Sequence, residues 1–204
     1  PGEQHVYVTA VGSDAVTAFS RDANTGALSF IEIEVDGANG VDGLGGASHL
    51  IVSPDGLHVY ATGRTDDAVA VFSRNTVTGE LTFIEQKRNG VDGVSGLESV
   101  TELAISADGN HLYTVAFDSE ALVLFSRDPA TGRLTFVEAL VDGVDGLDGL
   151  GRPGAVAISA DDGFVYAGSS SESALVVFAR DASTGRLTSV QILRQGEGGV
   201  DGIN

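Results

Sequence analysis

Three observations predict an all-β fold for this chain, a β-propeller of four-stranded antiparallel blades. A 53-residue repeat runs through the chain: Tyr7, Tyr60, Tyr113 and Tyr166 keep that interval, as do Phe19, Phe72, Phe125 and Phe178. Within each repeat the apolar pattern has period two, the signature of strands. Glycine-bearing turn signals separate the strands, and Gly26, Gly79, Gly132 and Gly185 recur in the same register. Four short antiparallel strands per unit of about 40–55 residues, repeated in tandem, describe propeller blades.

The second copy shows the elements in order. Leu57–Thr62 is predicted as a strand, followed by Ala68–Ser73 and Leu81–Glu85, and Thr101–Ser106 precedes the next copy. Each is short and rich in β-branched and aromatic residues. Pro54-Asp55-Gly56 and Ala107-Asp108-Gly109 supply hairpin turns, and Thr78-Gly79 closes the next-but-one hairpin. No segment has the length and spacing of an amphipathic helix. One propeller domain or part-ring over 1–204 follows, with repeats 1–53, 54–106, 107–159 and 160–204. Its core is expected to include Tyr60, Phe72, Phe83, Tyr113, Phe125 and Phe136. The chain opens on what reads as the second strand of a blade. We therefore expect the ring to be completed by further blades or by self-association.

Composition narrows the function classes. The 29 acidic and 11 basic residues leave a net charge of −18, which argues against nucleic acid and anionic lipid as partners. No apolar run approaches the roughly 20 residues that span a bilayer. Absence of cysteine removes disulfides, thiolate metal sites and thiol catalysis. No Gly-x-Ser-x-Gly elbow, phosphate-binding P-loop or dinucleotide fingerprint is present.

With the strands labelled a to d from axis to rim, the b–c and d–a loops share one face. That face collects most of the acids, including Asp14, Asp66, Asp118, Glu120, Glu98 and Glu172, against Arg64, Arg88, Arg152 and Arg194. Ligands of propellers commonly bind on the d–a side, so His49 and Glu102 on first strands, with Glu98, Arg152 and Asp14, are the candidate ligand-binding residues. The d–a loops also carry glycine at every third position, as in Val141–Gly149, where Asp142, Asp145 and Asp148 alternate with it. Hard oxygen ligands in a glycine-rich loop suit Ca²⁺, which makes these three, with Asp42, Asp92 and Asp201, the candidate metal ligands. An extended three-per-turn path would hold residues i and i+3 about 9 Å apart, so a purely structural crossover is the competing reading. His5, His58 and His111 recur beside the strand tyrosine and point to a hairpin role. Arg21, Arg74, Arg127 and Arg180, mostly followed by aspartate, are expected to pair within their turns.

Ser53–Tyr60, Ala68–Arg74 and Thr78–Phe83, with their counterparts in every repeat, resemble the lactonase-like seven-bladed β-propellers. That family includes bacterial 6-phosphogluconolactonases and muconate-cycloisomerase-like proteins. The resemblance implies the blade, and its motifs occupy turn and core positions that carry no catalytic role over to this chain. Near-identical blades favour a non-catalytic binding or structural module, secreted or at the cell surface. It would carry either no cofactor or Ca²⁺, and take a small-molecule, glycan or protein ligand. The alternative is a lactonase-like hydrolase with its site at the channel mouth on the acidic face.

Overall fold

The computed structural model describes residues 4–203 and contains fifteen strands in four antiparallel sheets. The first sheet is β1 (His5–Ala10), β2 (Ala15–Arg21) and β3 (Leu28–Val35). The second runs β4 (Ala47–Val52), β5 (His58–Gly63), β6 (Ala68–Arg74) and β7 (Leu81–Arg88). The third is β8 (Val100–Ile105), β9 (His111–Ala116), β10 (Ala121–Arg127) and β11 (Leu134–Val141). The last is β12 (Pro153–Ile158), β13 (Phe164–Ser169), β14 (Ala174–Arg180) and β15 (Leu187–Arg194). Strands pair in chain order within every sheet, and β4, β8 and β12 lie side by side at the inner edge. This is the blade architecture that the repeat predicts, with three strands in the first sheet among the described residues. The outermost strands run further than predicted, to Arg88 in the second blade. There a register shift at Val71/Phe72 re-phases the pairing, and it recurs at the same place in the other three blades.

A core lies between each pair of blades. Ala61, Ala70 and Phe72 face the first blade with Val16 and Leu44, while Tyr60, Val69 and Val71 face the third with Leu97, Leu103 and Phe125. A strand buried on both sides must be apolar at every position, which explains the unbroken run Ala68–Phe72. Of the predicted core aromatics, Tyr60, Phe72, Tyr113 and Phe125 are fully buried. Phe83 and Phe136 are half-buried on the outer strands, edge-on to Phe72 and Phe125 at centroid distances of 5.6 and 6.0 Å.

Arg74, Arg127 and Arg180 do not pair within their own turns as expected; each reaches the preceding blade while also holding the first turn of its own. Arg127 donates from Nε to the Tyr60 hydroxyl (2.6 Å), from Nη1 to the Gly109 carbonyl (2.9 Å) and from Nη2 to Asp55 (2.7 Å). It also sits 2.8 Å from His58 Nδ1. Tyr60 in turn donates to the Gly132 carbonyl (2.9 Å). Arg74 with Tyr7 and His5, and Arg180 with Tyr113 and His111, repeat the arrangement. The aspartate after the arginine serves its own loop instead, as Asp128 accepts from the Ala130 N–H (2.9 Å) and Asp181 from Ser183 (2.9 Å). We refer to each Arg–Tyr–His–Gly set as a staple.

The staple makes the protein sensitive to acid. A guanidinium can only donate, so the histidine Nδ1 that faces it must accept and the ring must be neutral. Burial, then the arginine charge, holds His58 and His111 below the ordinary 6.5, with the nearby aspartates pulling the other way. An unfolded chain therefore takes up these protons first as pH falls. The staples' contribution is complete above pH 6.5 and declines below it. We expect the urea midpoint at pH 5.5 to lie below that at pH 7.5, and a His58→Gln/His111→Gln variant to show a flatter dependence. Identical pH profiles for parent and variant would remove the histidines from the explanation.

Candidate functional site

The d–a loops decide what the inner face presents. They do not run extended. In the third copy the Gly143 N–H donates to the Leu147 carbonyl (2.9 Å) and the Leu147 N–H to the Val144 carbonyl (3.0 Å), which folds the loop into consecutive tight turns. Gly143, Gly146 and Gly149 all have positive φ, at 71°, 81° and 101°, so the three-residue glycine spacing is a turn requirement. Folding back buries Leu150 and brings residues six apart together.

This corrects the expected grouping of metal ligands. Asp142 and Asp148 meet with Glu172 from the next blade, and Asp36 and Asp42 meet with Asp66, each trio within 4.8 Å. Asp145 belongs to neither trio. It takes φ 51°, like Asp92 at 50° and Asn39 at 52° in the equivalent position. That left-handed corner favours Asn and Asp for their backbone tolerance. Asp201 accepts from the Gln195 side chain (2.6 Å).

An arginine lies on each trio. Arg194 contacts Glu172 (2.6 Å) and Asp148 (2.7 Å), while Arg88 contacts Asp42 (3.0 Å) and Asp66 (3.6 Å). Between the second and third blades the equivalents are Asn89, Ser95 and Ser119, and the arginine position is Val141. Acid and arginine are present together or absent together.

The innermost strands bring two of the expected ligand-binding residues together. His49 and Glu102 occupy equivalent places on β4 and β8, beside register irregularities at Ala47/Leu50 and Val100/Glu102. Such irregularities re-aim side chains. His49 Nε2 lies 3.9 Å from Glu102 Oε1, and each side chain is about one-third exposed, at 35% and 33%. The Leu103 N–H donates to His49 Nδ1 (3.3 Å), which places the ring proton on Nε2, toward the carboxylate. The Val156 N–H of β12 donates to Glu102 Oε2 (3.1 Å). Burial lowers His49 below the usual value and outweighs the opposing carboxylate, so the ring favours its neutral form. Hydroxyls surround the pair: Thr62 accepts from the His49 N–H (3.0 Å) and Ser48 reaches Thr62 (3.0 Å).

The other predicted residues are distributed differently. Asp14 accepts from the Gly46 N–H (2.7 Å) and ties the first two blades together. Glu98 lies between Asn89 (3.5 Å) and Ser119, whose hydroxyl accepts from its N–H (2.8 Å). Arg152 directly precedes β12 and rests against Phe117, its guanidinium carbon 5.4 Å from the ring centroid. Arg64 rests against the same ring at 5.7 Å. Sequence reasoning passed over Phe117 and Thr62, although the column Val11, Arg64, Phe117, Ser170 breaks the repeat in every copy.

A cavity of about 730 Å³ lies elsewhere, along β1 between His5, Tyr7, Pro54 and Asp55. Its polar lining is the first staple and a blade turn, so we place the candidate site at the channel. No helix among the described residues is long and apolar enough to cross a membrane.

Comparison with known proteins bears on the family and the fold. A Bacillus subtilis 6-phosphogluconolactonase is 35% identical over 147 residues, which cover 69% of this chain and 39% of that protein. A periplasmic gluconolactonase of Pseudomonas aeruginosa superposes with a TM-score of 0.76 at 27% identity, over 95% of this chain and 52% of that one. A Bacteroides uniformis structure gives 0.78 at 21% identity, over 94% and 52%, a likeness of fold. The chain thus spans about half the length of these structures and less of the curated relative. These names overturn the expectation of a non-catalytic module. Blade identity misled because it is confined to core, turn and staple positions, while the channel-facing columns (His49/Glu102/Ala155 and Gly46/Ser99/Arg152) differ from blade to blade. The family described as "Lactonase, 7-bladed beta-propeller" matches residues 1–146, and the chain belongs to it.

Proposed function

We propose that the protein is a lactone hydrolase acting on sugar lactones, with its reaction centre at the channel end of β4 and β8. The observation that carries this reading is the His49–Glu102 pair: a neutral imidazole and a carboxylate, unlike groups on equivalent strands, both open to the channel. In the proposed reaction Glu102 accepts a proton from water as its oxygen attacks the lactone carbonyl carbon. The acyl carbon–ring oxygen bond then breaks, and the departing oxygen takes the proton that Glu102 holds, while His49 Nε2–H donates a hydrogen bond to the lactone carbonyl oxygen as negative charge develops there. Glu102 is thereby returned to its starting form, and the open-chain hydroxy acid leaves. The names of the Bacillus and Pseudomonas relatives support this substrate class. The test is hydrolysis of δ-gluconolactone followed by proton release. Glu102→Gln and His49→Ala are each expected to lower kcat by about a hundredfold. Variants as active as the parent would move the site elsewhere.

For the acidic trios we propose an ion clasp between blades rather than a Ca²⁺ site, because acid and arginine vary together. Added Ca²⁺ is expected to leave the thermal midpoint of the parent unchanged and to raise that of Arg194→Ala, in which the trio is left uncompensated. A clear Ca²⁺ shift in the parent would restore the metal reading. A location outside the cytoplasm is part of the proposal; it is supported by the periplasmic relative and is tested by cell fractionation.

A further inference from the structure

Thr62 stands out among the residues behind the reacting pair. It is fully buried on β5, with its hydroxyl turned toward the inner strand β4. A buried hydroxyl costs stability unless it is hydrogen-bonded, and valine has nearly the same shape without that cost. Valine does occupy the equivalent position in the third blade (Val115), and glycine in the fourth (Gly168). Thr9 has this place in the first sheet, which shows no innermost strand among the described residues. Packing alone therefore does not call for a threonine at this position.

The ladder shows what the hydroxyl does. In the third and fourth blades the pairs Glu102↔Val115 and Ala155↔Gly168 lie in register. In the second blade the ladder passes from Ala47↔Gly63 to Leu50↔Ala61 and leaves His49 unpaired with β5. The His49 N–H donates to Thr62 Oγ1 instead (3.0 Å). The same hydroxyl also reaches the next blade. The Thr101 carbonyl lies 3.4 Å from Thr62 Oγ1 and 3.4 Å from Ser48 Oγ, and the two hydroxyls are 3.0 Å apart. Whichever hydroxyl donates to the other, the acceptor keeps its own proton free for that carbonyl. The Thr101 C=O and the Glu102 N–H belong to one peptide group, as the Ser48 C=O and the His49 N–H do. Thr62 thus holds the peptide that enters each reacting residue, on two neighbouring blades.

We propose that Thr62 is the positioning residue of the His49–Glu102 pair, setting the gap between the two side chains through the peptides that carry them. The gap matters because both groups must meet one lactone carbonyl, Glu102 through the attacking water and His49 at the oxygen. A misplacement of about 1 Å costs such an arrangement about a hundredfold in rate. This role rests on the lactonase reading for what the pair does, and is independent of it for how the pair is spaced.

The spacing can be measured in the intact protein through the charge of Glu102. Burial lowers the His49 midpoint, and the Glu102 carboxylate acts to raise it. Glu102→Gln is therefore expected to lower that midpoint, followed by NMR, by about one pH unit. In a Thr62→Val background the same change should have less than about half that effect, and Thr62→Ser should restore it. Thr62→Val should also lower kcat for δ-gluconolactone by about tenfold or more with KM little changed, again recovered in Thr62→Ser. Thr62→Ala removes the hydroxyl without adding an apolar methyl and answers the same question if the valine variant does not fold. An undiminished Glu102 effect without the hydroxyl, or a serine variant that matches the valine one, overturns the role. So does a His49 midpoint in the parent that Glu102→Gln leaves unmoved. Loss of the coupling in a protein that hydrolyses no lactone leaves the positioning role standing and removes the lactonase reading. Hydrolysis that falls in Glu102→Gln, with the coupling indifferent to Thr62, does the reverse.

Discussion

Arg127→Met is expected to unfold on the order of 10 °C below the parent. The Arg127 side chain is 1% exposed and supplies four polar contacts at once, to Asp55, His58, Tyr60 and Gly109. Removing one partner of a buried ion pair costs about 3–5 kcal/mol, because the other is left uncompensated. For a domain of this size each kcal/mol moves the midpoint by about 2–4 °C. Burial acts to raise the Asp55 carboxyl, yet hydrogen bonds from Ser53, the Leu57 N–H and Arg127, together with the arginine charge, hold it at about 2. The variant strips out the Arg127 part of that support. The Tyr60 hydroxyl, which burial pushes to about 12 against the pull of the arginine, loses its donor as well. Arg133→Met is the control. Its guanidinium pairs with Glu85 but is 58% exposed, and such pairs contribute less than about 1 kcal/mol. Equal losses from the two substitutions would mean that the staple contributes no more than a surface pair. A second signature is expected at His58, which should take up its proton at higher pH once the arginine charge is gone.

Gly132→Ala is expected to be nearly as damaging, and Gly26→Ala mild, although both glycines have φ +74°. That shared angle costs an alanine about 1 kcal/mol in either place. At Gly26 nothing lies within 4 Å of the added methyl. At Gly132 the methyl would press into the His58 ring, with Cγ only 2.7 Å away. His58 cannot swing aside without leaving Arg127, and Tyr60 donates to the carbonyl of this same glycine. Crowding of this kind adds about 1–3 kcal/mol, for a total near 3 kcal/mol at Gly132. Chemical denaturation of both variants measures the difference. Equal losses would show that the ring yields freely.

These two sites also mark how far the sequence could be read. The strands were legible because alternation and turn residues agree within each repeat, and the register of Tyr60, Phe72 and Gly132 was visible as a bare interval. What the interval could not show is that His58 of one blade lies against Arg127 and Gly132 of the next, since no local pattern links them. The loop Val141–Gly149 misled for a related reason. Glycine at every third residue fits an extended chain as well as consecutive turns, and only the packing of Leu150 distinguishes them. Of the candidate site, His49 and Glu102 were legible as polar residues on channel strands. Phe117 was not, because a lone aromatic in a loop carries no spacing signal; its meaning lies in the two arginines that meet over it.

Every complete staple joins a tyrosine to an arginine 67 positions later and to a glycine 72 positions later, from whichever blade one begins. Excising any whole 53-residue unit would therefore deliver the next arginine and the next glycine to the waiting tyrosine. No staple would register the loss. Shortening by any other length would misalign every contact across the cut. The blade interface thus acts as a ratchet with a 53-residue tooth, which makes the number of blades a copy number that duplication or deletion of the coding unit can change in whole steps. Channel residues such as His49 and Glu102 fall outside that grammar. They occur once each and would be lost with the unit that carries them.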